Sequence, residues 1–234
     1  AKLEQVIQNA CGIIVEPIVQ GAGGMKIYSA DFLKRLAQYA KAHDCYLIAD
    51  EVMTGLGRTG RWLASHHAGI QPDLICLSKS LTAGTMPLSC VLIDDDIYQC
   101  FKAHPESPFL HSHTYTAHPL GVSAANAALD TMQAISLDKQ AHILGQYMLK
   151  KFCEISEQTK RFQNIRMIGG IIAGDLITPE GADFGRLFAQ KALSYGALLR
   201  PLGNTVYWFP PLNTTHNTID TLADITKRAI HAIF

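Results

Sequence analysis

Short runs that are apolar at nearly every position alternate with longer stretches of helical period through the first half of the chain. CGIIVEPI (11–18), CYLIA (45–49), LICL (74–77) and SCVLI (89–93) are short enough, and apolar enough, to read as buried strands. Between the first two lies ADFLKRLAQYAKAHD (30–44), with Leu33, Leu36, Ala37 and Ala40 spaced as one face of a helix. Strands of this kind, separated by helices and loops, predict a parallel or mixed sheet covered on both faces. A helix of small residues is expected from Pro119 through GVSAANAALDTMQAI, with proline in its first turn. Another is expected over 138–158, with Ile143, Leu144, Tyr147, Met148 and Phe152 on one face.

The pattern then changes. NIRMIGGIIAGDLI (164–177) predicts two short strands broken at Gly-Gly, and FGRLFAQKALSYG (184–196) a helix. ALLRPLGNTVYWFPP (197–211) predicts a strand pair around a turn, and NTIDTLADITKRAIHAIF (217–234) a capped amphipathic helix. The expected organisation is an α/β domain over 1–137 and a smaller α+β domain over 138–234.

Composition narrows the function classes. The 234 residues are 48% hydrophobic, enough for a substantial core, and the 20 acidic side chains balance 20 basic ones. That balance argues against a nucleic-acid or anionic-membrane surface as the main partner. No apolar run reaches the roughly 18 residues that span a bilayer, and the opening AKLEQVIQNA lacks a signal-peptide pattern. Cys11, Cys45, Cys76, Cys90, Cys100 and Cys153 form no CxxC pair. They are expected to be reduced core residues of a cytosolic protein.

Candidate chemistry gathers where strands end. In a parallel sheet, ligands collect beyond the carboxyl ends of the strands, and Glu16, Asp50 and Ser78-Lys79 all follow strand-like runs. In LIADEVMTGLGRTG (47–60), Asp50 and Glu51 come directly after one such run, although desolvating a carboxylate is costly. A strand end reaching solvent would explain the acids alone, and an isolated lysine is usually a surface residue. The two together suggest more. A desolvated lysine can form a Schiff base with an aldehyde cofactor, and a buried carboxylate can hold a heterocyclic nitrogen protonated.

EPIVQGAGGM, LIADEVMTGLGRTG, LICLSKSLTAGTMPLS and HSHTYTAHPLGVSAANAAL, in that order and spacing, resemble the pyridoxal-phosphate-dependent class III aminotransferases. The resemblance covers almost the whole chain. It implies the large domain of a fold type I pyridoxal-phosphate transferase, mainly parallel, followed by a small α+β domain. It also implies a homodimer with active sites at the interface. VQGAGGM, the LT-x-GTM-P-L segment and RPLGNTVYWFPP further resemble one branch of the family. Members of that branch transfer the amino group of S-adenosylmethionine to 8-amino-7-oxononanoate in biotin synthesis, in two ping-pong half-reactions.

Residue by residue, the resemblance implies Lys79 as the Schiff-base and proton-transfer lysine and Asp50 as the partner of the pyridine nitrogen. It implies Val52 against the ring face and Thr114 as donor to the cofactor phosphate, usually across the dimer interface. Arg200 would take the substrate carboxylate, with Tyr207 and Glu16 on the substrate side and Gln20 close to Glu16. Core packing for Val52 and a sheet-edge cap for Arg200 are the plain alternatives. Glu51 is expected to hydrogen-bond at the strand end. Met53 stands where many ω-amino-acid aminotransferases carry glutamine, which favours the biotin branch. Ser112 and His113 depart from the family's Gly-Pro-Thr or Gly-Ser-Thr; a metal held by His111, His113 and His118 is the competing use of that loop.

Family members normally carry a region of comparable size before the EP motif, with a glycine-serine phosphate loop and an aromatic residue stacked on the cofactor. The chain is therefore expected to be the C-terminal part of such an enzyme. Rival readings are another class III aminotransferase or aminomutase, and a fragment that does not bind the cofactor alone.

Overall fold

The computed structural model describes residues 2–234. Along the chain come α1 (Lys2–Ile7), β1 (Gly12–Val15), the short strands β2 (Val19–Gln20) and β3 (Lys26–Ile27), α2 (Ala30–Ala42) and β4 (Tyr46–Asp50). β5 (Leu74–Leu77), β6 (Cys90–Ile93), α3 (Asp95–Ala103) and α4 (Pro119–Ala134) follow. Then come α5 (Leu137–Thr159), β7 (Phe162–Ile168), β8 (Ile171–Leu176), α6 (Phe184–Ser194), β9 (Thr205–Trp208) and α7 (His216–His231). The chain divides into two compact units. One holds the residues up to Ile18 with Ser29–Leu56 and Leu63–Ile135; the other holds Val19–Tyr28, Gly57–Trp62 and Ser136–Phe234.

The first unit is built on a four-stranded sheet in the order β1-β4-β5-β6. β1, β4 and β5 run parallel, with Val15 opposite Ala49 and Asp50 opposite Cys76, while β6 is antiparallel to β5. α2 starts where the Ser29 hydroxyl accepts from the Phe32 amide, and it buries Leu33, Leu36 and Ala40. Ile7, Ala40, Cys45 and Leu47 form a core patch there, and Cys45 Sγ donates to the Ala10 carbonyl at 2.8 Å. α4 begins at Pro119 and buries Gly121, Ala125 and Ala128. It lies against the 3₁₀ turn Lys79–Thr82. Small residues on that face let a helix approach a turn closely.

The mixed, mainly parallel sheet is flanked by helices as expected, with some strand positions left uncovered: Ile14 of β1 and Val91, Leu92 and Ile93 of β6 are exposed. One expectation needs correction in this unit: not all six cysteines lie in the core, since Cys11 and Cys100 are exposed; all six are free thiols.

The second unit packs α5, α6 and α7 with the antiparallel sheet β7-β8-β9. Its core is aromatic at the centre. Phe152 of α5 meets Trp208 of β9 edge-on, with ring centroids 5.1 Å apart, and Met148, Phe188 and Ile219 are fully buried around them. The Trp208 indole N–H donates to the Thr226 hydroxyl at 3.2 Å, which satisfies the one polar group that burial would strand. The expected strand pair over 197–211 does not form. Only Thr205–Trp208 is a strand, joined to the upstream segment by a single bridge between Leu202 and Thr205. Pro201 has no N–H to offer a ladder, which accounts for the broken pairing.

The hairpin β2-β3 is held to this unit by Arg166 of β7. Its guanidinium donates to the carbonyls of Met25 and Gly24 at 2.8 and 2.6 Å, and to Asp175 Oδ1 at 2.8 Å. Burial pushes the Asp175 carboxyl up, but hydrogen bonds from Arg166, Thr205 and Asn164 outweigh that and hold it below the ordinary range. At the β7–β8 turn, the Gly170 amide donates to the Arg58 carbonyl at 2.9 Å. Gly169 has φ +49°, and a Cβ there would overlap the backbone of Arg58 and Thr59.

Gly169→Ala should therefore destabilise the protein by about 2–4 kcal/mol, from a strained left-handed alanine and a backbone overlap together. Chemical denaturation of the full natural polypeptide measures it. A loss under ~1 kcal/mol would show that the 57–62 loop moves aside at little cost.

Candidate active site

Three parallel strands end side by side, and each is followed by a polar residue. Glu16 follows β1, Asp50 closes β4, and Ser78-Lys79 follows β5. Parallel pairing makes this unavoidable, because all three carboxyl ends fall at one edge of the sheet. The sheet thus brings Glu16, Asp50 and Lys79 to one edge of the first unit.

Asp50 is half-buried rather than buried. Its Oδ1 accepts from the Val52 amide at 3.1 Å, while Oδ2 takes no hydrogen bond among the described residues. Val52 and Met53 follow in the turn and are also half-buried. The fully desolvated carboxylate is the next one: Glu51 is 1% exposed. Burial falls on the other acid of the Asp-Glu pair, where three donors meet Glu51 and only the Val52 amide meets Asp50.

Lys79 occupies an uncommon backbone conformation, φ +39°, at the start of the 3₁₀ turn. Such strain in a side chain with a Cβ persists only where the surroundings fix it. Three hydroxyls do so. Ser78 donates to the Leu88 carbonyl at 2.8 Å, Thr82 to Met86 at 2.6 Å, and Thr85 to Thr82 at 2.7 Å. The side chain of Lys79 is exposed and pairs with no carboxylate among the described residues. The desolvated lysine expected from the sequence is therefore not present in this chain by itself.

An open hollow of about 730 Å³ is lined by Ser78, Leu88, His113, Tyr115, His118 and neighbouring residues. Thr114 lies on the same loop, exposed. The loop is shaped by its own contacts: His113 Nδ1 accepts from the Tyr115 amide at 3.1 Å, and the His113 amide donates to Thr116 Oγ1 at 3.0 Å. Among the described residues no three His, Cys, Asp or Glu side chains converge as a metal site.

Arg200 and Tyr207 belong to the second unit. Arg200 is exposed in the segment before β9 and does not sit at a strand end, whereas Tyr207 lies on β9 opposite Ala173, half-buried. Gln20, on β2, is also in this unit and exposed.

One residue went unnoticed in the sequence. Arg58, in LGRTG, is 7% exposed, and its guanidinium donates to the carbonyls of Gly170 (3.3 Å) and Pro210 (2.8 Å) and lies 4.1 Å over the Phe209 ring. Burial pushes its pKa down to about 10, and Nε has no hydrogen-bond partner among the described residues. An arginine between glycines in a tightly turned loop was the available signal.

Cys76 faces the same edge. Burial and then the charge of Asp50 push its thiol up, so it is a poor nucleophile beside the carboxylate. The rate of iodoacetamide labelling at Cys76 should therefore rise with a midpoint above the ordinary thiol value of about 8.5. Asp50→Asn should lower that midpoint part of the way back; no change would show that the Asp50 charge does not reach the thiol.

Comparison with known proteins places these residues in context. A family model described as aminotransferase class III matches residues 1–230. The adenosylmethionine-8-amino-7-oxononanoate aminotransferase of Synechococcus elongatus is 44% identical over 90% of this chain and 50% of its own length. Its namesake from Geobacter sulfurreducens is 36% identical over 99% of this chain and 54% of its own. The chain spans about half the length of the curated relatives it matches. Among solved structures, an amine transaminase from an uncultivated Pseudomonas species, with pyridoxal phosphate bound, superposes with a TM-score of 0.91. It is 32% identical, over 99% of this chain and 55% of that one.

Proposed function

This chain belongs to the class III aminotransferases, and from that premise we propose that its protein transfers the amino group of S-adenosylmethionine to 8-amino-7-oxononanoate, giving 7,8-diaminononanoate for biotin synthesis. The names of relatives at 44% and 36% identity support the choice of substrates. One observation carries the chemistry. Among the described residues, Asp50 Oδ2 takes no hydrogen bond and Lys79 Nζ meets no carboxylate, and the two stand at the ends of adjacent parallel strands of one sheet. Those two groups fit pyridoxal phosphate, which has a basic ring nitrogen for the first and an aldehyde for the second.

When bound, the cofactor supplies an electrophilic carbon for amines and a protonated ring that draws electrons from the carbon losing its proton. Asp50 Oδ2 holds the proton on the ring nitrogen, while Oδ1 stays fixed by the Val52 amide. Lys79 Nζ anchors the cofactor between turnovers. Once released, it takes the proton from the donor's reacting carbon in one half-reaction and delivers one to the acceptor's in the other. Val52 presses its branched side chain on the ring, and Thr114 donates its hydroxyl to the phosphate, from the partner subunit of a homodimer. Arg200 takes the substrate carboxylate with its planar donor fork. Tyr207 and Glu16 complete the substrate side. Donor and acceptor each carry a carboxylate, and ping-pong turnover never needs both bound together, so one arginine serves both.

The test uses the full natural polypeptide that carries this chain. Borohydride reduction in the presence of pyridoxal phosphate should fix the pyridoxyl group on Lys79, and S-adenosylmethionine alone should then convert the unreduced cofactor to its amine form. Asp50→Asn should slow that conversion about tenfold to a few hundredfold, as expected when a charge-assisted hydrogen bond of ~1.5–3 kcal/mol is lost from the transition state. Pyridoxyl on any other lysine would overturn the site. Conversion by other amines but not by S-adenosylmethionine would place the protein elsewhere in the family.

A further inference from the structure

Glu51 poses a question that the proposed chemistry leaves unanswered. It is 1% exposed, yet no lysine or arginine pairs with it among the described residues. A carboxylate so placed has lost water and gained no cation, which is costly unless neutral donors replace the water. Three do. Oε1 accepts from the Ser65 amide at 2.8 Å; Oε2 accepts from the Ala64 amide at 2.8 Å and the Thr54 hydroxyl at 3.0 Å. All three donors are themselves fully buried.

The backbone of the same residue is fixed on both sides. Its amide donates to the Cys76 carbonyl at 3.0 Å, carrying the β4–β5 pairing one residue past the strand, and its carbonyl accepts from the Gly55 amide at 2.9 Å. The turn is closed so tightly that a Cβ on Gly55 would lie 2.9 Å from the Glu51 carbonyl oxygen and 2.9 Å from Leu77 Cδ2. Glu51 is thus held through main chain and side chain together, and its two neighbours in sequence are Asp50 and Val52.

We infer that Glu51 is a positioning residue: by tying the Asp50–Val52 corner to the amides of Ala64 and Ser65, it sets the direction of the free Asp50 oxygen. The inference rests on the reading that Asp50 Oδ2 meets the cofactor nitrogen. Two adjacent amides converge on this side chain, and only a carboxylate accepts from both. Glutamine has nearly the same shape but turns an NH₂ toward one of them. The corner must then shift to relieve that donor–donor contact. Asp50 moves with it, because Oδ1 is bonded to the Val52 amide within the same turn.

The experiment is a double-mutant cycle on the full natural polypeptide, comparing wild type, Glu51→Gln, Asp50→Asn and the double variant. Readouts are the Kd for pyridoxal phosphate, the pH midpoint of the bound cofactor's absorbance, and the Tm of the cofactor-free protein. Glu51→Gln should weaken cofactor binding about tenfold to a hundredfold and shift the absorbance midpoint. In the Asp50→Asn background the same substitution should change Kd by less than about twofold, because the group it acts through is already gone. Thr54→Val removes one donor and leaves the amide clamp; it should show a smaller loss, again abolished by Asp50→Asn, and it decides the matter if Glu51→Gln does not fold. Equal losses in both backgrounds, tracking a fall in Tm, would make Glu51 structural only and overturn the inference. Wild type that takes no cofactor, or Asp50→Asn that matches wild type, would sink the functional reading and this inference with it.

Discussion

Parallel pairing of β1, β4 and β5 is the constraint from which the candidate site follows. Three strands that run the same way must each turn at the same edge of the sheet, and those turns carry Glu16, Asp50 and Lys79. The turns are then fixed by polar groups rather than by packing alone. Hydroxyls of Ser78, Thr82 and Thr85 hold the strained start of the lysine turn, and the Glu51 carboxylate holds the turn after β4.

The chain buries two charged side chains near this sequence and satisfies them differently. Glu51 receives three hydrogen bonds from neutral donors and is complete. Arg58, seven residues later and in the second unit, gives two to carbonyls, stacks on Phe209, and keeps Nε without a hydrogen-bond partner among the described residues. Its pKa is lowered to about 10 by burial. A carboxylate meets two converging amides more easily than a guanidinium meets five acceptors. Short range decides in both cases, since neither charge has a counter-ion among the described residues.

Much of this was legible in the sequence because its signals were local. Helical spacing in ADFLKRLAQYAKAHD and the proline at 119 marked α2 and α4 closely, and the apolar runs marked β1, β4, β5 and β6. That the ends of β4 and β5 carry Asp50 and Lys79 to one edge of the sheet needed only the rule about strand ends. What failed were features set by distant partners or by small differences in exposure. The segment before Thr205 has strand-like composition, yet Pro201 interrupts any ladder there. The Asp-Glu pair gives no indication of which acid is buried, because that depends on the amides of Ala64 and Ser65, thirteen and fourteen residues away. The roles of Arg58 and Arg166 likewise depend on carbonyls more than a hundred residues off in sequence. The cofactor came from the family resemblance, as did the substrates proposed above, and neither periodicity nor composition contains them.

The central claim is that the free oxygen of Asp50 keeps the cofactor's ring nitrogen protonated. Nuclear magnetic resonance of pyridoxal phosphate labelled with ¹⁵N in the ring, bound to the full natural polypeptide, tests it most directly. The account predicts the shift of a protonated pyridine nitrogen in the wild type at neutral pH, and the shift of an unprotonated one in Asp50→Asn. An unprotonated nitrogen in the wild type, or a protonated one in both proteins, would contradict it.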